Sequence, residues 1–174
     1  NTAARTTPVT PVNGNTEDAN ATTMQVRKRD GSLEPVDVNK IVRAVARAAE
    51  GLSSVDTMRV ATRTIGGLYD GATSRELDGL SIQTAASLIA AEPEYSLLAA
   101  RLLSAYVAKE GSNQNIHAFS QAVAAGHALG LVADEAASFV AANSRKLNDC
   151  IDDSRNELFE YFGLRTVYDR YLLR

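Results

Sequence analysis

The period of the hydrophobic pattern changes within residues 24–49, and this change constrains the fold more than any other feature of the sequence. Residues 24–29 alternate in character, and residues 33–36 follow after Asp30-Gly31. Asp-Gly is typical of a tight type I′ turn, because both of its residues tolerate a positive φ. We therefore predict a β-hairpin in which Pro35 confines the second strand to a sheet edge.

A helix is predicted directly after this hairpin. Asp37 is placed as its N-cap, and Gly51 is placed as its C-terminal stop. The apolar residues between them recur at the spacing of one helical face: Val38, Ile41, Val42, Val45, Ala46 and Ala49. The chain is thus predicted to pass from a β-hairpin into an amphipathic helix.

Three more helices are predicted before residue 111. The second follows Ser53-Ser54 and carries Met58, Ala61, Ile65 and Leu68 on one face. The third begins at the capping box Thr73-Ser74-Arg75-Glu76, and the fourth covers about residues 95–109. Gly111-Ser112-Asn113 is interpreted as a domain boundary. Three further helices are expected around residues 116–123, 133–140 and 158–164.

These elements predict an α+β fold that is mostly α. Residues 1–23 are rich in Thr, Asn, Ala and Pro and are predicted to form a disordered tail. Residues 24–110 are predicted to form a hairpin with a four-helix cluster, and residues 111–174 a helical segment. Because the first residue is Asn1 and the end has no terminating signal, we expect an excised piece of a longer protein.

Composition excludes several classes of function. Eighteen Lys plus Arg against 21 Asp plus Glu give a formal charge of -3, which does not favour a nucleic-acid partner. The single cysteine, Cys150, and the absence of Cys/His spacing typical of zinc predict no disulfide, no structural metal and a cytoplasmic location. Short apolar runs predict no membrane span. We expect His117 and His127 to be structural.

Positive charge is nevertheless concentrated locally, with six Lys or Arg residues between Arg27 and Arg47. Lys28 and Arg29 lie at the predicted turn, and Lys40 and Arg43 lie in the first two turns of the following helix. A helix N-terminus with nearby cations is suited to binding a polyphosphate. The alternative is a solvated basic edge that keeps the hairpin from pairing with another strand.

The spacing in residues 26–41, Val-x-Lys-Arg-Asp-Gly, then Glu, then Asp-x-x-Lys-Ile, resembles the signature of the ATP-cone domain. Tyr-Asp-Gly at 69–71 and Ala-Ala-Arg-Leu at 99–102 extend the resemblance to the cone of class I ribonucleotide reductase large subunits, over about residues 24–110. Residues 151–168 resemble the entry into the catalytic domain of that subunit. The resemblance implies a short hairpin capped by four helices, followed by helices that lead to a catalytic barrel absent from this sequence.

The resemblance also implies a nucleotide site. The cone of that family binds ATP as an activator or dATP as an inhibitor, and Mg²⁺ is expected with the nucleotide. The matching positions imply phosphate ligands at Lys28, Arg29, Lys40 and Lys109, and a hydroxyl at the start of a helix from Ser74. Base and sugar contacts are implied for Glu34, Asp37 and Ile41, although Asp37 alternatively serves only as an N-cap. The sequence departs from the family at Asp37, Asp78 and Ala105.

The implied parent enzyme is ribonucleoside-diphosphate reductase, an oxidoreductase that uses a thioredoxin-type dithiol reductant to make deoxyribonucleotides for DNA synthesis. Its implied partners are a radical-generating small subunit and a second large subunit. This segment is expected to contain no catalytic residues. One alternative is a nucleotide-responsive repressor, which pairs a cone with a Cys-rich zinc ribbon. Another is a helical interaction module with a degenerate cone that docks an acidic partner.

Overall fold

The computed structural model describes residues 24–172, so the predicted tail at 1–23 lies outside the described residues. The predicted architecture, mostly α with one hairpin, is confirmed. A 3-10 helix, Asp153–Leu158, precedes the last α-helix. The other elements, in chain order, are β1 (Gln25–Arg27), β2 (Leu33–Pro35), α1 (Val38–Ala48), α2 (Thr57–Gly66), α3 (Ser74–Ala86), α4 (Tyr95–Asn113), α5 (Phe119–Ala128), α6 (Asp134–Ala142), α7 (Ser144–Asp149) and α8 (Tyr161–Arg170).

The hairpin is present, but the predicted type I′ turn is wrong. The two strands pair antiparallel with Val26 opposite Glu34. The amide of Gly31 donates to the carbonyl of Lys28 at 3.0 Å, and the amide of Lys28 donates to the carbonyl of Ser32 at 2.7 Å. Gly31 has a φ of +88°, whereas Asp30 keeps a negative φ. The loop therefore has three residues, a type I turn followed by a left-handed glycine.

Both predicted side-chain caps are confirmed. Asp37 caps α1, where its Oδ1 accepts from the amide of Asn39 at 2.9 Å. Thr73 and Glu76 form a reciprocal capping box at α3, with the Glu76 amide donating to Thr73 Oγ1 at 3.1 Å and the Thr73 amide donating to Glu76 Oε2 at 2.7 Å. Each cap satisfies amides that have no partner within their own helix.

The loop before α3 joins the outer edge of β1. The amide of Arg27 donates to the carbonyl of Ala72 at 2.9 Å, and the amide of Gly71 donates to the carbonyl of Gln25 at 2.9 Å. Residues 70–73 thereby lie alongside the hairpin like a short third strand. This contact fixes the N-terminus of α3 beside the turn of the hairpin.

Helices α1 to α4 enclose the main core, whose least exposed large side chains are Val45, Val60, Thr64, Leu98 and Leu103. The predicted face of α2 is wrong in part, because Met58 is 56% exposed while Val60 and Thr64 are fully buried. The Thr64 hydroxyl donates to the Val60 carbonyl at 2.9 Å. A threonine that satisfies its own hydroxyl within the helix can occupy a core position.

The predicted end of the fourth helix is also wrong. α4 continues through Gly111 to Asn113, and the chain turns at Asn115, which has a φ of +56°. A glycine inside a helix destabilises it by only about 1 kcal/mol. The stabilisation that a 19-residue helix gains from packing is larger than this cost. Sequence reasoning also missed α7 and the 3-10 helix. Within residues 24–172, no helix is both long enough and apolar enough to cross a membrane.

Helix α8 packs back onto the four-helix cluster. Its side chains Tyr161, Leu164 and Tyr168 contact the buried core beside α4. The Ser96 hydroxyl accepts from the amide of Tyr161 at 3.2 Å and donates to the carboxylate of Glu160 at 3.3 Å. The C-terminal helical segment is therefore docked on the same helix that closes the core.

Candidate functional site

A cavity of about 430 Å³ lies between the hairpin and one side of the helical cluster. Each of three helices contributes residues spaced by three or four, which is the spacing of one helical face. The helical residues are Lys40, Ile41, Ala44, Val45, Arg47 and Ala48 of α1, Ser74, Leu77, Asp78 and Ser81 of α3, and Arg101, Leu102, Ala105 and Lys109 of α4. The hairpin closes the remaining side.

All eight residues of the predicted nucleotide site line this one cavity. They come from the hairpin and from three helices, and they extend from residue 28 to residue 109. They are Lys28, Arg29, Glu34, Asp37, Lys40, Ile41, Ser74 and Lys109. Arg43, which the charge pattern also suggested, does not line the cavity and instead lies 3.6 Å from the Asp37 carboxylate.

The cavity wall is positively charged, although the whole chain is acidic. Basic lining residues outnumber acidic ones by six to three. The basic residues are Lys28, Arg29, Lys40, Arg47, Arg101 and Lys109, and the acidic ones are Glu34, Asp37 and Asp78. A concave surface with an excess of one charge concentrates ligands of the opposite sign.

Glu34 holds the two lysines at the hairpin end of the cavity. Lys28 Nζ lies 2.6 Å from one carboxylate oxygen, and Lys40 Nζ lies 3.6 Å from the other. The hydrogen bond from Lys28 lowers the pKa of Glu34, and the same bond raises the pKa of Lys28. All three side chains are about half exposed, so these pairs are weak and the ammonium groups are available to a stronger anion.

A second cluster centres on Arg29, whose side chain is only 16% exposed. Its guanidinium donates to Asp78 at 3.0 Å and to Glu110 at 2.9 Å. Asp78 also accepts from Lys109 at 2.7 Å, and Glu110 accepts from Arg75 at 2.7 Å. Three cations share two carboxylates, so the cluster keeps a net positive charge.

Arg29 also lies over an aromatic ring outside the cavity. Its guanidinium carbon is 5.7 Å from the centroid of Tyr106, within the range of a cation–π contact. Tyr106 in turn meets the ring of Tyr168 edge to face, with centroids 5.9 Å apart. Partial burial, followed by a hydrogen bond with Tyr168, raises the pKa of Tyr106 to about 12. Tyr106 is therefore neutral at physiological pH.

Sequence reasoning gave no role to Arg101, which the structure places in the cavity wall. Its guanidinium donates to the carbonyls of Ala48 at 3.2 Å and Glu50 at 2.6 Å, at the C-terminus of α1. The available signal was the spacing of Arg101, Ala105 and Lys109, which places them on one face of α4. Arg101 joins α4 to the end of α1 at the far side of the cavity.

The model of the ATP cone domain family matches residues 24–110, which is half of the chain. This chain belongs to the ATP-cone domain family. All residues that line the cavity fall within the matched cone. Membership of this family indicates that the cone binds a nucleotide effector.

Curated relatives extend the similarity beyond the cone. The chain is 36% identical over 157 residues to a ribonucleoside-diphosphate reductase large subunit from Caenorhabditis elegans, covering 86% of the chain and 20% of the relative. It is 35% identical over 159 residues to large chain 2 of that reductase from Saccharomyces cerevisiae, covering 87% of the chain and 18% of the relative. The chain spans about a fifth of the length of these relatives.

Proposed function

We propose that the cone binds ATP or dATP in its cavity and thereby regulates a ribonucleoside-diphosphate reductase of which this chain is part. The observation that carries this proposal is that Lys28, Arg29, Lys40 and Lys109 line one cavity together with apolar side chains of α1 and α4. Its volume of about 430 Å³ suits a ligand of nucleotide size. The similarity to large subunits supports the choice of enzyme.

The polyphosphate is assigned to Lys28, Arg29, Lys40 and Lys109. Lys28 and Lys40 would exchange their contacts with Glu34 for contacts with phosphate oxygens. Arg29 and Lys109 would likewise exchange their contacts with Asp78. Charge-assisted hydrogen bonds to phosphate are stronger than exposed ion pairs, which favours the exchange. The hydroxyl of Ser74 and the N-terminus of α3 add donors. Mg²⁺ accompanies the nucleotide on its phosphates.

The base and ribose are assigned to the apolar part of the cavity wall and to the carboxylates of Glu34 and Asp37. Ile41 is 5% exposed and, with the small side chains of Ala44, Ala48 and Ala105, leaves an apolar slot between α1 and α4. Burial of an aromatic base against such a surface is favoured by the hydrophobic effect. Glu34 and Asp37 supply carboxylate oxygens that accept hydrogens from the ribose or the adenine amino group.

In this proposal ATP activates the parent enzyme and dATP inhibits it. The two ligands act by different affinities for two states of the protein, since equal affinity would shift neither state. The reduction of ribonucleotides belongs to residues outside this chain, together with a dithiol reductant. The partners are a radical-generating small subunit and a second large subunit, and the location is the cytoplasm.

Calorimetric titration of the chain with ATP, dATP and GTP in magnesium buffer tests the proposal. We expect saturable binding of the adenine nucleotides, weaker binding of GTP, and a large loss of affinity in Lys28→Ala. Lys146→Ala, which removes an exposed lysine in α7, is the matched control and should bind like the wild type. Absence of adenine-nucleotide binding by folded protein would overturn the proposal and favour an interaction module with a degenerate cone.

A further inference from the structure

Helix α4 lies between the cavity and the segment formed by residues 153–170. Arg101, Ala105 and Lys109 face the cavity. Ser96 and Tyr106, also of α4, contact Glu160, Tyr161 and Tyr168 at the N-cap and within α8. One helix therefore presents a ligand cavity on one side and a docked C-terminal segment on another.

A short line of side chains crosses from the cavity to α8. It starts at Arg29, which lines the cavity and is held by Asp78 and Glu110. It continues through the face of the Tyr106 ring at 5.7 Å and ends at Tyr168, whose ring is 5.9 Å from that of Tyr106 at an interplanar angle of 75°. Each contact depends on the position of the group before it.

We propose that the Arg29–Tyr106–Tyr168 line couples occupancy of the cavity to the docking of α8 on the cone. This inference rests on the proposed binding of a nucleotide and states how that binding would change the docking of α8. A phosphate that draws the guanidinium of Arg29 toward the cavity competes with Glu110 and alters the contact with the Tyr106 face. Tyr106 is packed edge to face on Tyr168, so a shift of its ring changes how α8 is seated.

A second contact reaches the same segment from the far end of the cavity. Arg101 donates to the Ala48 carbonyl, and another nitrogen of its guanidinium lies 3.8 Å from the carboxylate of Glu157 in the 3-10 helix. Glu157 is 72% exposed, so this pair is weak. Arg101 therefore touches residues 153–170 directly, whereas Arg29 reaches them only through Tyr106.

The coupling has a reciprocal consequence. If the nucleotide changes the docking equilibrium of α8, then docking changes the affinity for the nucleotide by the same factor. Weakening the contact between Tyr106 and Tyr168 must therefore alter nucleotide affinity, although Tyr168 does not line the cavity. A purely structural role for Tyr168 predicts a change in stability without this change in affinity.

The first test compares ATP titrations of the wild type, Tyr168→Ala and Tyr171→Ala. Tyr171 is 73% exposed just after α8, which makes it a matched tyrosine control. We expect the dissociation constant to change by about fivefold in Tyr168→Ala, the lower end of typical allosteric coupling, and to stay unchanged in Tyr171→Ala. Equal constants in all three proteins would overturn the coupling.

The second test measures amide hydrogen exchange of the wild-type chain with and without ATP, and needs no substitution. We expect ATP to change exchange in residues 38–48 and 161–170, while residues 119–142 serve as the unchanged control. ATP-dependent change in 38–48 without change in 161–170 would overturn the coupling and leave the proposed function standing. No binding of ATP by the folded chain would overturn both, so the two failures are distinguishable.

Discussion

Replacement of Lys40 by alanine should weaken nucleotide binding with little effect on stability. Lys40 lies in the first turn of α1 with its side chain 63% exposed, 3.6 Å from a Glu34 carboxylate that Lys28 holds more closely at 2.6 Å. The ligand-free protein therefore gains little from this contact, and Glu34 keeps a partner in the variant. The change in the free energy of unfolding should fall within about 0.5 kcal/mol.

The effect on binding is expected to be larger because the lysine would meet phosphate. A hydrogen bond to a charged group contributes about 1.5–3 kcal/mol, and about 1.4 kcal/mol changes a dissociation constant tenfold. We therefore expect Lys40→Ala to raise the dissociation constant for ATP between about tenfold and a hundredfold. Added salt should weaken ATP binding less in the variant than in the wild type, since one ionic contact is gone.

Arg43→Ala is the matched control for Lys40→Ala. Arg43 lies on the same helix, carries the same charge and is 62% exposed, but it does not line the cavity. Titration calorimetry at two salt concentrations gives both comparisons. If Lys40→Ala binds ATP like the wild type, the assignment of Lys40 to the phosphates is wrong. The assignment is also wrong if Arg43→Ala loses as much affinity, because non-specific electrostatic attraction of ATP to the basic residues would then explain both losses.

Two further predictions concern stability. Leu98 is fully buried, so Leu98→Ala should lower the free energy of unfolding, measured in urea, by about 2–5 kcal/mol. Leu129 is 72% exposed, so Leu129→Ala should change this free energy by under about 0.5 kcal/mol. Similar losses in the two variants would contradict the assigned core. The Thr73 amide holds the pKa of Glu76 below its usual range, so ionised Glu76 stabilises α3 above its unfolded pKa and this stabilisation is lost as pH falls through the lowered pKa. The difference in melting temperature between wild type and Glu76→Gln should shrink on acidification from about pH 7 to about pH 3, and a constant difference would refute the role of the charge.

The sequence predicted those parts of the fold that depend on neighbouring residues. Asp37 as N-cap and the box of Thr73 and Glu76 were identified because a cap is completed within three residues. The face of α2 was missed because Thr64 satisfies its hydroxyl inside its own helix and is buried like an apolar residue. The extent of α4 was missed because tertiary packing outweighs the intrinsic cost of Gly111.

The candidate site likewise contains residues that the sequence predicted and residues that it did not. Lys28, Arg29 and Lys40 were predicted because positive charge is concentrated between residues 27 and 47, and the family resemblance added Glu34, Asp37, Ile41, Ser74 and Lys109. The carboxylates that pair with Arg29 were not predicted, since Asp78 and Glu110 lie 49 and 81 residues away. Pairing at such separations depends on how the helices pack, and one sequence does not specify it.

The three-residue strands of the hairpin imply an order of local opening. A two-stranded hairpin is marginal by itself, and here β1 is supported on its outer edge by residues 70–73. The hairpin should therefore exchange its amides through local fluctuations well before global unfolding exposes those of the buried helices. A ligand that bridges Lys28 and Lys40 would clamp the part of the cone that otherwise opens first, so its largest effect on protection should appear in β1 and β2.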